Sequence, residues 1–142
     1  MESEPKMQPR RNFRRQDTSW RPVSAYVGAV SADTEVGLGA PPVSGVLVRK
    51  VQMRVRVEHD FDANNYWTVA VYWRDASGNA FLVSEEKTVS LDFFANVVLP
   101  LYSNDSGFRL ERLHELTVKF TKTGSPTALS GVQLYADLYV GI

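Results

Sequence analysis

The residues in this chain that could do chemistry are few, and their spacing argues against most of it. The two histidines, His59 and His114, lie among acids: Glu58 and Asp60 in one case, Glu111 and Glu115 in the other. A Ser-His-Asp relay needs one of them beside a reactive serine. The G-x-S-x-G elbow that would present such a serine is absent, and surface solvation accounts for both rings. Asp60, Asp62 and Asn64 open with the D-x-D-x-N spacing of a calcium loop. Asn65 stands where that loop needs glycine, and Val71 where it needs a bidentate glutamate. The same residues suit a polar loop between strands whose side chains cap their own backbone. Gly37-Leu38-Gly39 runs into Pro41 and Pro42 rather than into a helix, so no phosphate cradle is expected. With no cysteine, disulfides and thiolate metal sites are excluded. The expectation is a protein that is not an enzyme and carries no cofactor or metal.

A different chemistry stands out near the start of the chain. Met1 to Pro22 holds six basic residues (Lys6, Arg10, Arg11, Arg14, Arg15 and Arg21) against Glu2, Glu4 and Asp17, a balance of 6 − 3 = +3. Its large apolar side chains are Met1, Met7, Phe13 and Trp20. That is too little apolar surface to offset the ordering entropy of the segment by itself. Arg and Trp dominate binding hot spots, so Arg10, Arg11, Phe13, Arg14, Arg15, Trp20 and Arg21 are the candidate partner-binding residues. The whole chain has 16 basic and 16 acidic residues. Residues 23–142 therefore hold 10 basic and 13 acidic, or −3. One reading is that the segment of one copy docks on the body of another; the other is that imbalances this small carry no meaning. Arginine with interleaved aromatics also suits nucleic acid. The interspersed acids and the acidic body argue for a protein partner instead.

The elements that must position these groups read as β. About 120 residues beyond the segment suffice for one domain with its own core, so the expected organisation is 1–22 as an extended basic arm and 23–142 as a single β domain. Apolar residues fall at Val46 and Val48, then at Val51, Met53, Val55 and Val57, the last four alternating with Gln52, Arg54 and Arg56. The phase slips at Arg49-Lys50, which predicts a β-bulge or a strand changing sheets. Tyr66 to Arg74 puts Trp67, Val69, Val71 and Trp73 on one face, with both tryptophans expected in the core. Asp75-Ala76-Ser77-Gly78-Asn79 is a turn by composition, returning as Ala80 to Ser84. Lys87 to Leu91, Ala95 to Leu101 and Thr117 to Thr123 are further strand candidates. Asp92-Phe93-Phe94 reads as a tight connection and Tyr102 to Gly107 as a loop. Phe108 to Leu116 suits either a helical turn or the entry to a strand. A final strand places Val132, Leu134, Ala136, Leu138 and Val140 inward and is expected to be paired on both sides. A possible first strand at Tyr26 to Val30 is followed by a small-residue linker over 31–45. Seven or eight short strands without a long helix predict an antiparallel β-sandwich or barrel.

The outward faces of these strands carry tyrosines: Tyr66 and Tyr72 opposite the tryptophans, Tyr135 and Tyr139 on the last strand. Such rings could stack sugars, as in a carbohydrate-binding module, or form a subunit interface. No apolar run approaches the roughly 18 residues needed to cross a bilayer. The charged N-terminus with Pro5 and Pro9 does not read as a signal peptide.

A basic arm on a compact, cysteine-free β domain resembles the capsid decoration (cement) proteins of tailed bacteriophages, most closely that of a thermophilic phage. The resemblance lies in layout and rests on no diagnostic motif. It implies a homotrimer on the outer surface of the virion, assembled in the host cytoplasm, with the major capsid protein and itself as partners. Met1 to Pro22 would cross neighbouring subunits, with Phe13 and Trp20 as plugs. At most ~75 Å of extended chain against a body ~35 Å across permits this. A tail or head-completion protein would share the same layout.

Overall fold

The computed structural model describes residues 20–39, 45–56, 61–90 and 96–139, with the backbone alone for Trp20, Arg21, Pro22 and Ser90. Eight strands are formed there: β1 (Trp20–Val30), β2 (Thr34–Gly37), β3 (Val46–Arg56), β4 (Tyr66–Arg74), β5 (Ala80–Lys87), β6 (Asn96–Leu110), β7 (Glu115–Thr123) and β8 (Leu129–Tyr139). They make two four-stranded sheets, ordered β1-β8-β3-β6 and β2-β7-β4-β5, and each pairing is antiparallel. The chain passes from one sheet to the other at every connection except the β4–β5 hairpin. This is the strand order of a double-sheet jelly roll. Of the two architectures expected, the structure is the sandwich.

Alternation places the core. In β3, Val46, Val48, Val51, Met53 and Val55 have no exposed surface. They meet Val132, Leu134 and Ala136 of β8 in their own sheet and Trp67, Val69, Val71, Val118 and Phe120 across the sandwich. Burying each large side chain of this set stabilises the fold by about 1.5–3 kcal/mol. The phase slip at Arg49-Lys50 is a bulge, because the register of β3 breaks between Val48 and Lys50 against both β6 and β8. The extra residue lets valines on both sides of it point inward. Trp67 is closed in completely. Its backbone N–H donates to Thr88 Oγ1 at 2.9 Å and its indole Nε1–H to the Thr127 carbonyl at 2.9 Å. Trp73 is only half-buried. β8 lies between β1 and β3, paired on both sides as its continuous alternation predicts.

Several sequence expectations need correction. The first strand begins at Trp20 rather than Tyr26 and forms an edge of its sheet against β8. The supposed linker over 31–45 contains β2, whose Val36 pairs with Val118. Small residues hid this four-residue strand. Of the strand expected over Lys87 to Leu91, Lys87 ends β5 and Thr88–Ser90 is a turn of 3₁₀-helix, while Leu91 lies outside the described residues. Tyr102 to Gly107 lies inside β6 rather than in a loop. There the register jumps from Lys50↔Ser103 to Val48↔Phe108. Asn104 Oδ1 accepts the backbone N–H groups of Ser106 and Gly107 at 2.8 and 3.2 Å, so a polar bulge lies within one long strand. Phe108 to Leu110 finishes β6, residues 111–114 turn, and β7 starts at Glu115; no helical turn forms. Val57, Asp92, Phe93, Phe94 and Val140 lie outside the described residues. Among the described residues no helix is long and apolar enough to cross a membrane.

Candidate interaction surfaces

Of the residues singled out for catalysis and metal binding, His114 and Asp62 are described, and both hold turns. His114 Nδ1 accepts the Glu111 backbone N–H at 3.0 Å, which assigns its proton to Nε2. Its ring stacks on Trp73 at 4.7 Å, and Trp73 stacks in turn on Phe81 at 4.3 Å. Asp62 accepts the Asn64 N–H at 2.8 Å and the Asn65 amide at 3.1 Å. These bonds, that from Asn64 first, hold its carboxyl below the usual range. This is the self-capping loop foreseen for the segment; Asp60 and His59 lie outside the described residues. Among the described residues no group of three or more His, Cys, Asp or Glu could hold a metal ion.

A two-pronged ion pair ties strands together. Arg74 of β4 donates to both carboxylate oxygens of Glu35 in β2, each at 2.7 Å, across the intervening β7. The Arg74 hydrogen bond is the main cause that lowers the Glu35 carboxyl. Asp75 is lowered chiefly by the Asn79 side chain within the β4–β5 turn. The sign follows directly. Carboxyls depressed in the folded state contribute stability that is complete above their unfolded range and lost as pH falls below it and through the lower folded-state value. Urea midpoints should therefore decline below about pH 4, and Glu35→Gln should flatten that decline; an unchanged slope in the variant would exclude the Glu35–Arg74 pair as a source.

The tyrosines form two unequal faces. On the β1-β8-β3-β6 sheet, cross-strand rows run Tyr26-Gln133-Arg54-Val98 and Ser24-Tyr135-Gln52-Pro100. Tyr26 is 72% exposed with its ring over Gly28, while Tyr135, diagonal to it across β1 and β8, is half-buried. Tyr139, on the same face, lies under the Arg49 guanidinium at 4.4 Å. On the other sheet Tyr66 and Tyr72 are six residues apart, about 20 Å along the strand, and the Lys87 ammonium sits 5.4 Å from the Tyr66 ring. Those two rings make no common platform.

One end of the sandwich gathers features that the sequence did not reveal. Trp20 pairs with Tyr139, Tyr139 with Leu47 and Leu47 with Arg109, so the chain enters β1 and leaves β8 beside the end of β6. The 111–114 turn carries the chain from that row to Glu115, which pairs with Arg74 beside the β4–β5 turn. Within that turn Leu113 has φ of 72°, a conformation that costs a leucine about 1–2 kcal/mol and glycine almost nothing. Its side chain is nevertheless 66% exposed. Of the candidate partner-binding residues, Trp20 and Arg21 sit in the backbone of β1 at this end. Arg10, Arg11, Phe13, Arg14 and Arg15 lie outside the described residues.

The strand order defines the chain as a jelly-roll β-sandwich. No family model matches it, and no curated protein does. Distant similarities to solved structures exist. A chain from infectious bursal disease virus, Gx strain, is 10% identical with a TM-score of 0.46, over 88% of this chain and 33% of that one. A chain of turnip yellow mosaic virus is 11% identical with a TM-score of 0.36, over 87% and 79%. The xylan-binding module CBM15 is 11% identical with a TM-score of 0.41, over 82% and 89%. The present chain thus spans a third of the length of the bursal disease virus chain.

Proposed function

We propose that the protein is a non-catalytic structural component of a virion, a capsid decoration subunit. Its jelly-roll body would stand on the outer surface of a major capsid protein lattice. The residues before β1 would bind neighbouring subunits in a homotrimer. The observation that supports this reading best is the strand order, because eight-stranded jelly rolls are the architecture of viral capsid subunits and of lectin domains. Fold alone does not assign function. The second support is chemical: His114 Nδ1 and the Asp62 carboxylate accept hydrogen bonds within their own turns. Arg10, Arg11, Phe13, Arg14 and Arg15 are the proposed contacts, with Trp20 and Arg21 at their root. Contacts spread over several partners strengthen one another through effective concentration.

Co-sedimentation with phage heads stripped of decoration proteins tests the proposal. Full-length protein should pellet with the heads, and Arg10→Glu/Arg11→Glu/Arg14→Glu/Arg15→Glu should lose at least about 30-fold in apparent affinity, as multiple hot-spot losses do. Equal binding by the two proteins would refute the role of the segment. The lectin branch of the same architecture supplies a second reading, a carbohydrate-binding module. The exposed Tyr26 ring favours it, whereas Tyr66 and Tyr72 lie too far apart to act together. That reading predicts glycan-array binding abolished by Tyr26→Ala, and an array without hits removes it.

A further inference from the structure

We propose that the outer face of the β1-β8-β3-β6 sheet binds an acidic polysaccharide, a sugar chain bearing carboxylate or sulfate groups. The inference rests on the second reading above, that the sandwich binds carbohydrate, and it names the class of glycan.

The two outer faces differ in charge. The paired rows of this face hold Lys50, Arg54, Arg56 and Arg109, with Asp137 as the one acid in them among the described residues. Arg49 joins them from the bulge, over the Tyr139 ring. Asp105 lies off these rows, in the polar bulge of β6. Glu111 holds Arg109 at 3.0 Å, whereas Lys50 and Arg54 have no ion-pair partner among the described residues. On the other sheet the rows carry Arg74, Lys87 and Lys119 against Glu35, Glu85 and Glu115, a balance of zero. Residues 23–142 sum to 10 − 13 = −3. The body is therefore acidic as a whole, and its positive charge is gathered on one face. Lys50, Arg54 and Arg56 are exposed there on β3, a central strand of the sheet.

The same face carries groups that suit a sugar. The Tyr26 ring lies over Gly28, 3.5 Å from where a Cβ would stand, so the backbone supports a ring that is still 72% exposed. Such a ring can stack on the apolar face of a sugar. In its row Gln133 follows and then Arg54, about 10 Å away at two strand spacings. An amide both donates to and accepts from hydroxyls, and a guanidinium grips a carboxylate through two parallel bonds. The row thus offers, in order, a stacking ring, a hydroxyl partner and an anion partner to neighbouring units of one chain. This order favours a glycan over nucleic acid. A nucleic-acid strand brings a phosphate at every unit and is gathered by a basic domain. Here Gln52 separates Lys50 from Arg54 along β3, Gln133 stands beside Arg54, and the body is acidic. An acidic polysaccharide has hydroxyls between its charges, and these amides match them.

Isothermal titration calorimetry of the full-length protein with polygalacturonate, heparin, neutral xylan and single-stranded oligothymidylate tests this. At least one of the two acidic glycans should bind, and the pair separates carboxylate from sulfate recognition. Raising NaCl from about 50 to 500 mM should weaken that binding at least about tenfold. Arg54→Glu should lose at least about tenfold, the worth of one hydrogen bond to a charged group. Tyr26→Ala should lose at least about fivefold. Both residues are exposed, so both variants should melt with wild type. Lys119→Glu makes the same charge change on the opposite sheet and should bind like wild type. The losses should persist when Arg10→Glu/Arg11→Glu/Arg14→Glu/Arg15→Glu is also present, which removes the N-terminal guanidinium groups from the comparison. Tighter binding of the oligonucleotide than of either acidic glycan, salt-insensitive binding, or equal losses in Lys119→Glu and Arg54→Glu would each overturn the proposal. Binding of xylan alone would overturn the acidic class and leave the carbohydrate reading standing, whereas binding of no glycan would remove both.

Discussion

Replacing Trp67 by alanine is expected to lower folding stability by about 3–5 kcal/mol, the range for large aromatic truncations in cores. That is a large fraction of the ~5–15 kcal/mol by which a domain is stable. The side chain is wholly buried between the sheets. It packs in one cluster with Val69, Val71, Phe120 and the inward residues of β3 and β8. Both sheets meet there, so the cavity cannot be closed by moving one strand. Trp67→Phe separates volume from bonding: it keeps most of the ring but leaves the Thr127 carbonyl without the indole N–H it accepts at 2.9 Å. It should cost about 1–3 kcal/mol. Urea unfolding followed by far-ultraviolet circular dichroism measures both. A loss below about 1.5 kcal/mol for the alanine variant would mean that the core is not organised around Trp67.

The second large effect belongs to Gly107→Ala, expected to cost more than about 2 kcal/mol. Gly107 has φ of 67°, where an added Cβ carries a penalty of about 1–2 kcal/mol. That Cβ would also come within 2.5 Å of the Val48 carbonyl oxygen and 3.1 Å of the Leu47 side chain. A carbonyl in a paired strand cannot rotate away as a long side chain can. The glycine closes the polar bulge of β6, at which β3 and β6 regain register after the Lys50↔Ser103 pair. Gly78 provides the comparison. Its φ is 87°, but nothing lies within 4 Å of an added Cβ, so Gly78→Ala should show the conformational cost alone. Equal melting temperatures for the two variants would show that the close approach at Gly107 contributes nothing.

Both effects arise where local pattern and long-range pairing meet, and they mark how far the chain can be read directly. Period-two alternation is a local property, and it identified the inward faces of β3, β4 and β8. The paired basic residues at Arg49-Lys50 announced the bulge because a phase slip is visible within four residues. Turn chemistry was equally legible at Asp75 to Asn79, where Asp75 accepts the backbone N–H groups of Ser77 and Asn79. Elements lacking these signals were missed. β2 has four residues, too few for a period to show. The polar stretch of β6 looks like a loop because it is held by Asn104 Oδ1 accepting the Ser106 and Gly107 N–H groups rather than by buried apolar side chains. Trp73, placed by alternation in the core, turned out to be a half-buried ring in a stack with Phe81 and His114.

The candidate surfaces divide in the same way. The basic, aromatic-spotted segment is a matter of composition and was evident at once. The stack of Trp73, Phe81 and His114 was not, since strand pairing brings these three rings together. Nothing in the local pattern marks residue 113 as strained.

The amino-acid sequence alone determined that this is an all-β protein with a distinct basic segment, because alternation and composition act over a few residues. Only the tertiary structure decided that eight strands form a jelly roll, that Trp20 pairs with Tyr139, and that Leu113 and Phe81 share the end where the chain enters. Those facts depend on pairings between residues as many as 119 apart in the chain. Such contacts are selected by the simultaneous burial of both sheets rather than by any local preference.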